Sequence, residues 1–172
     1  MSIIDVLTFQ ASSNTDSPKN SLIDARGPRF GAVITTIVLT TFLAFGAIEL
    51  LIWQTAVFAL AALIGLNYSP YALLYAKLIK PRLQGDIPTE DHRPAQFAQL
   101  VGLIFTTTAL LAYLLGAQTA GYIIVAAALA AAFLNAAFDF CLGCEVYLLI
   151  ARAKSAVGAR SDREGPYNLP AL

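Results

Sequence analysis

Two thiols stand three residues apart in the stretch "FDFCLGCEVYLLIARAK", at Cys141 and Cys144, and they are the 2 cysteines of the chain. Two carboxylates, Asp139 and Glu145, lie beside them. Residues three or four apart share a face of a helix, so Cys141, Cys144 and Glu145 are expected to face together. Asn135 and Asp139, four apart, form a second cluster. A C-x-x-C pair closes a disulfide when its Cα atoms stand about 5 to 6 Å apart, which a helix start allows. A cysteine in the first turn also meets free backbone N–H groups, which favour its thiolate. Cys141 is therefore expected to be the more reactive thiol and Cys144 the resolving one. Glu145 can raise a neighbouring thiol pKa by repulsion or accept a proton from Cys144, and the sequence leaves both roles open. The chemistry of such a pair is thiol–disulfide exchange or sulfur carriage. Two thiolates can also hold Cu(I), and a cysteine can serve as a small apolar packing residue. A four-thiolate zinc site within one chain is excluded, because there is no second pair. No quinone, haem, nucleotide or phosphate motif is present, so no cofactor is expected.

The elements that must position these residues are apolar. Of 172 residues, 58% are hydrophobic and 13% charged, against about a quarter charged in a soluble domain. The bilayer is the solvent this composition fits. Four stretches, 30–48, 50–66, 97–115 and 119–138, come close to the 17–25 residues a spanning helix needs. They are apolar all round, whereas a soluble bundle would carry polar stripes. Short tips, "AIELL" and "LLGAQTAG", join them in pairs. The expected fold is all-α: a polytopic membrane protein with four transmembrane helices in two hairpins. A polar segment 1–25 precedes this membrane domain (26–154), and a polar tail 155–172 follows it. Met1 opens no secretory signal, since no basic n-region precedes its short apolar run.

Every lysine and arginine lies before the first stretch, between the second and third, or after the fourth. The positive-inside rule puts both termini and the middle loop in the cytoplasm, on the inner side of the cell membrane. Trp53, Tyr113 and Tyr122 are expected at the outer interface, and Phe30, Tyr68, Tyr71 and Phe97 at the inner one. A formal net charge of +0 points to no nucleic-acid partner. Each hairpin is followed by a short amphipathic segment, 69–80 and 142–154, expected to lie along the inner face. Ser69 is the expected N-cap of the first, with Pro70 at its first helical position. A shift of 72 residues pairs Asn67 with Asp139, Ser69 with Cys141, Ala72 with Cys144, Tyr75 with Tyr147 and Lys80 with Arg152. That is a weak parallel repeat of the two halves.

Asp139 near an interface needs a partner, and Asn135, Arg26 and Arg29 are the candidates. Gly27 and Pro28 are expected to form a turn before the first span. His92 is expected in a solvated loop. The span threonines are expected to bond back to helix carbonyls.

The runs "DARGPRFGA", "SPYALLYAKLIKPRL", "FAQLVGLIF" and "LNAAFDFCLGCEVYLL" resemble the DUF4395 family of bacterial membrane proteins over about residues 24–152. "F-C-L-G-C-E-x-Y" is the specific part. Asn135, Cys141, Cys144, Glu145 and Tyr147 match its pattern, as do Asp24, Arg26 and Gly27. Gln96 stands where a basic residue is expected, and Asp139 where glycine is usual. The family carries no assigned activity. Its members occur near genes for thioredoxin-like proteins and sulfurtransferases, which implies a partner of that kind and thiol or sulfur chemistry. A non-enzymatic membrane subunit, alone or in a homo-oligomer or larger complex, is the alternative.

Overall fold

Long apolar runs form three helices of 20 residues or more. The computed structural model describes residues 22–82 and 89–163. The other segments, including most of the polar end 1–25 and the end of the tail 155–172, lie outside the described residues. In chain order the elements are β1 (Leu22–Asp24), α1 (Arg26–Phe45), α2 (Ile48–Ala59), α3 (Pro70–Leu74), β2 (Thr89–Asp91), α4 (His92–Leu114), α5 (Gln118–Phe138) and α6 (Leu142–Arg163). The all-α expectation holds, and α1, α4 and α5 are long and apolar enough to cross a membrane. The second expected span is shorter than these, an apolar helical stretch over Ile48–Ile64.

Asp24 and Asp91 start the two hairpins alike. Each carboxylate accepts, at 3.0 Å, the backbone N–H of the arginine two residues on, Arg26 or Arg93. This satisfies one of the free donors of a helix start. Helix α1 thus begins at Arg26, and Gly27 and Pro28 sit in its first turn, not in a turn before it. His92 opens α4 beside Asp91, with Nδ1 3.7 Å from Oδ1, and is not a loop residue. The strands, which the helical patterning does not foresee, pair antiparallel with Leu22 opposite Asp91 and Asp24 opposite Thr89. They tie the two hairpin starts together, so the folded unit begins ahead of residue 26.

Helix α1 packs on α2 and α5, and α4 packs on α2, α5 and α6. The four long apolar stretches thus close a ring, α1–α2–α4–α5, with α6 along α4. At the hairpin-tip end the ring is filled. Leu39, Phe42, Leu51, Ala109 and Val125 are fully buried there, and Tyr113 and Tyr122 pack against them. The ring centroids of the two tyrosines lie 6.2 and 5.7 Å from Phe42 and 6.1 Å from each other. Both therefore pack inward, and Trp53, half exposed, and Phe45 are the aromatics left facing out at that end.

The second stretch is not one regular helix. α2 passes into a π-turn at Leu60–Ile64 and ends at Gly65, whose φ of 139° only glycine readily adopts. Gln96 reaches across from α4 to donate to the Ala62 carbonyl at 3.0 Å within that turn. The segment expected as an amphipathic helix over 69–80 is α3, a π-turn (Tyr75–Ile79) and a 3₁₀ turn (Lys80–Arg82). Pro70 does stand first, but the Ser69 side chain makes no cap. The cause is a pair of tyrosines four residues apart that point inward instead of along an interface. Tyr71 donates to Gln54 Oε1 at 2.9 Å, and Gln54, with no exposed surface, donates to Thr35 Oγ1 at 3.2 Å. Tyr75 donates to Asp24 Oδ2 at 2.9 Å. Burial first, and then that hydrogen bond, push the Tyr75 hydroxyl up to about 12, so it stays a donor at physiological pH. Thr36, Thr41, Thr106 and Thr108 bond back to carbonyls of the preceding turn as expected.

The Tyr71–Gln54–Thr35 chain is the buried polar link between α3, α2 and α1, and removing one member strands another. Tyr71→Phe is expected to lower stability by about 1 kcal/mol. Gln54→Ala, which strands two hydroxyls and opens a cavity, should cost about twice that. Thermal unfolding of the detergent-solubilised variants measures both, and an unchanged midpoint for Gln54→Ala would remove the chain from the account of stability.

Candidate functional site

The cysteine segment is set by a break. α5 ends at Asp139, which adopts φ 58° and ψ 26°, the one non-glycine residue with positive φ among those described. Its N–H bonds to the Asn135 carbonyl at 3.1 Å, the αL way of ending a helix. Aspartate tolerates this conformation, and glycine adopts it without strain. That is the physical reason a glycine suits position 139, and it makes Asp139 a turn residue. α6 then starts afresh at Leu142, as expected for the cysteine segment, but it runs on to Arg163, past residue 154.

Cys141 immediately precedes that helix. Its carbonyl accepts the Glu145 N–H at 3.0 Å, and its Sγ accepts the Cys144 N–H at 3.3 Å. The sulfur thus takes the place a serine oxygen has in an N-cap. Cys141 and Cys144 are joined as a disulfide, with Cα atoms 5.2 Å apart.

Two contacts seat this helix start on α4. A Cβ added to Gly143 would lie 2.7 Å from Ala98 Cα and 2.6 Å from its Cβ. Only a hydrogen fits there. One turn on, Tyr147 packs on Phe97 with ring centroids 5.7 Å apart, so Tyr147 is an anchor of α6.

A cavity of about 670 Å³ occupies the end of the ring opposite the filled tip. It lies where α1 and α4 begin and α5 ends, and alanine is the commonest residue on its wall. Cys141 lines it; Cys144 and Glu145 do not. The expectation that these three face together is thereby refined: Cys141 turns to the cavity, Cys144 is half-buried off its wall, and Glu145 is exposed. The expected Asn135–Asp139 cluster separates too, since Asn135 lines the cavity and Asp139 is exposed. Gln99 of α4 and Thr35 of α1 add uncharged polar groups to the wall, while Asp24 and Lys80 supply charge at the end where the hairpins begin. Neither the Asn135 nor the Gln99 side chain has a hydrogen-bond partner among the described residues. Gln99 and Gly143 drew no attention in the sequence, although a lone amide inside an apolar stretch is a usable signal.

The arginines do not pair with the acids. Arg29 Nε donates to the Ala136 carbonyl at 3.2 Å, so the cation sits on the last turn of α5 and meets its negative dipole end. Arg26 contributes its backbone N–H to Asp24. Among the described residues no ion pair joins Asp139 or Glu145 to either arginine. No group of three metal-ligating side chains is assembled among them either.

These features define a class: an all-α bundle with membrane-capable helices, hollow at one end and carrying a C-x-x-C disulfide at the cavity wall. The chain belongs to the DUF4395 family, a domain of unknown function, whose profile matches residues 23–152. No curated protein and no solved structure matches the chain.

The Gly143 seat makes a sharp expectation. Gly143→Ala should push the α6 start off α4 and cost about 1–3 kcal/mol through overpacking against backbone. Thermal unfolding reads the loss, and faster reduction of the disulfide by a phosphine reads the displacement. A wild-type midpoint together with a wild-type reduction rate would show that the helix start does not depend on this contact.

Proposed function

We propose that the chain is a four-span membrane protein whose Cys141–Cys144 pair exchanges disulfide with a cytoplasmic thioredoxin-like or sulfurtransferase partner. The observation that carries this is the pair itself: disulfide-bonded, at a helix start, with a backbone N–H on Cys141 Sγ. That donor favours a thiolate at Cys141. A partner thiolate attacks Cys144 Sγ, the S–S bond breaks, and its electron pair leaves on Cys141. The partner's second thiol then attacks the mixed disulfide and releases Cys144, so the pair is reduced by two electrons and the partner oxidised. In this direction Cys144 meets the partner and Cys141 is the leaving thiolate. Exposed Glu145, next in sequence to Cys144, is the proton acceptor for the incoming thiol.

Three observations support the topology. Ile48–Ile64 joins the closed ring with the three long helices. The basic residues lie beyond the hairpin starts and ends, which orients both termini to the cytoplasm of the inner membrane. The parallel repeat has counterparts at atomic scale: the same aspartate cap at Arg26 and Arg93, and the same ring contact, 5.7 Å, between Phe30 and Tyr75 and between Phe97 and Tyr147. Ser69 and Cys141 each precede the helix that follows their hairpin.

Cys141→Ser should accumulate a mixed disulfide in native membranes, formed when the Cys144 thiolate attacks the disulfide of the oxidised partner, because the Cys141 thiol that would displace the partner is gone. Cys144→Ser should trap far less. If neither variant traps a partner, and neither thiol is alkylated before or after reduction, the cysteines are structural and the chain is a scaffold subunit. In a cysteine-free background, Gln118→Cys and Lys154→Cys should be labelled by an impermeant maleimide from opposite sides. Labelling from the same side would overturn the four-span topology.

A further inference from the structure

The cavity poses a question that disulfide exchange with a protein leaves open: why does one sulfur of the pair line a largely apolar chamber inside the ring? A folded protein partner cannot enter a chamber of about 670 Å³. Whatever meets Cys141 there is a small molecule, and the wall describes it. Besides Asp24 and Lys80, the polar side chains on that wall, among them Thr35, Gln99 and Asn135, are uncharged. Two of them, Gln99 and Asn135, carry amides with no hydrogen-bond partner among the described residues. Both amides are partly exposed, so a ligand in the chamber can hydrogen-bond to them. Their N–H groups call for acceptor oxygens on an uncharged body. Lys80 is the single cation on the chamber wall and Asp24 stands on the same wall, so no cluster of cations of the kind that grips a phosphate lines it.

The redox requirement narrows this further. After exchange with a partner, the pair is a dithiol and must lose two electrons and two protons to become a disulfide again. An uncharged, flat, membrane-soluble molecule that accepts two electrons and two protons, and carries two carbonyl oxygens, is a quinone. We propose that the cavity holds a quinone headgroup between Gln99 and Asn135, and that it reoxidises the Cys141–Cys144 dithiol. This rests on the thiol-exchange function proposed above and adds its terminal oxidant. The Cys141 thiolate adds to a ring carbon of the quinone, forming a C–S bond. The Cys144 thiolate then attacks Cys141 Sγ; the S–S bond forms, the C–S bond breaks, and its electron pair returns to the ring. With the two protons of the dithiol the ring leaves as hydroquinone. No sequence motif marks such a site, because its two amides come from helices 36 residues apart in sequence.

The test uses the full chain in lipid nanodiscs, reduced and freed of reductant, with ubiquinone-1 as the probe. All ring positions of that quinone are substituted, so it oxidises thiols without staying attached. Expected is one quinone reduced per two thiols lost, followed by quinone absorbance and by a maleimide gel shift. Gln99→Leu and Asn135→Leu should each slow quinone reduction about tenfold, the effect of one lost hydrogen bond, while diamide still closes the disulfide at the wild-type rate. Ala131→Phe, which fills the chamber, should abolish quinone reduction and keep the wild-type thermal midpoint or raise it. If diamide closes the disulfide but ubiquinone-1 does not, the quinone proposal fails and thiol exchange stands. If Ala131→Phe reduces quinone at the wild-type rate, the chamber is not the site. If no oxidant closes the disulfide, thiol exchange fails with it.

Discussion

The placement of the cysteine pair depends on how closely one helix start can approach another. Gly143 lies between the thiols and rests directly on Ala98 of α4, where no side chain fits. That contact fixes the first turn of α6, and the first turn fixes which sulfur looks into the ring. Tyr147 on Phe97 repeats the hold one turn later, so the helix is set in rotation as well as position. The break at Asp139 makes this possible, because a continuous α5 would have carried the cysteines past α4 along its own axis.

The ring divides into two halves with different physics. The tip end is close-packed around Leu39, Phe42 and Val125, with tyrosine rings filling the remaining space. The opposite end is hollow. Atoms lining a void lose the dispersion contacts they would otherwise make, so the filled half must hold the fold that the hollow half weakens. The Tyr71–Gln54–Thr35 chain runs along the border: Gln54 is wholly buried, and its two partners both reach the cavity wall. The irregular backbone lies beside the hollow. The π-turn at Leu60–Ile64 frees a carbonyl, and Gln96 satisfies it. A glutamine at that position, in place of a base, has this physical use.

Much of this was legible in the residues. Apolar runs located the four stretches of the ring, the short tips located their turns, and the spacing of the thiols allowed a disulfide at a helix start. The parts that were not legible have a common cause. Hydropathy reports how much an element wants to leave water and says little about which neighbour it meets. Tyr71, Tyr113 and Tyr122 look like interfacial rings by composition; packing turned them inward. The π-turns depend on hydrogen bonds across the bundle, and the short strand pair on the two hairpin starts meeting. Arg29 follows the same logic. Its charge called for a partner, and the nearest negative group turned out to be the end of a helix.

One feature reaches beyond the site. The disulfide has one sulfur on the cavity wall and the other off it. It is a partition one bond thick: in the exchange proposed above, breaking and re-forming that one bond would pass electrons between the chamber and the surface outside it.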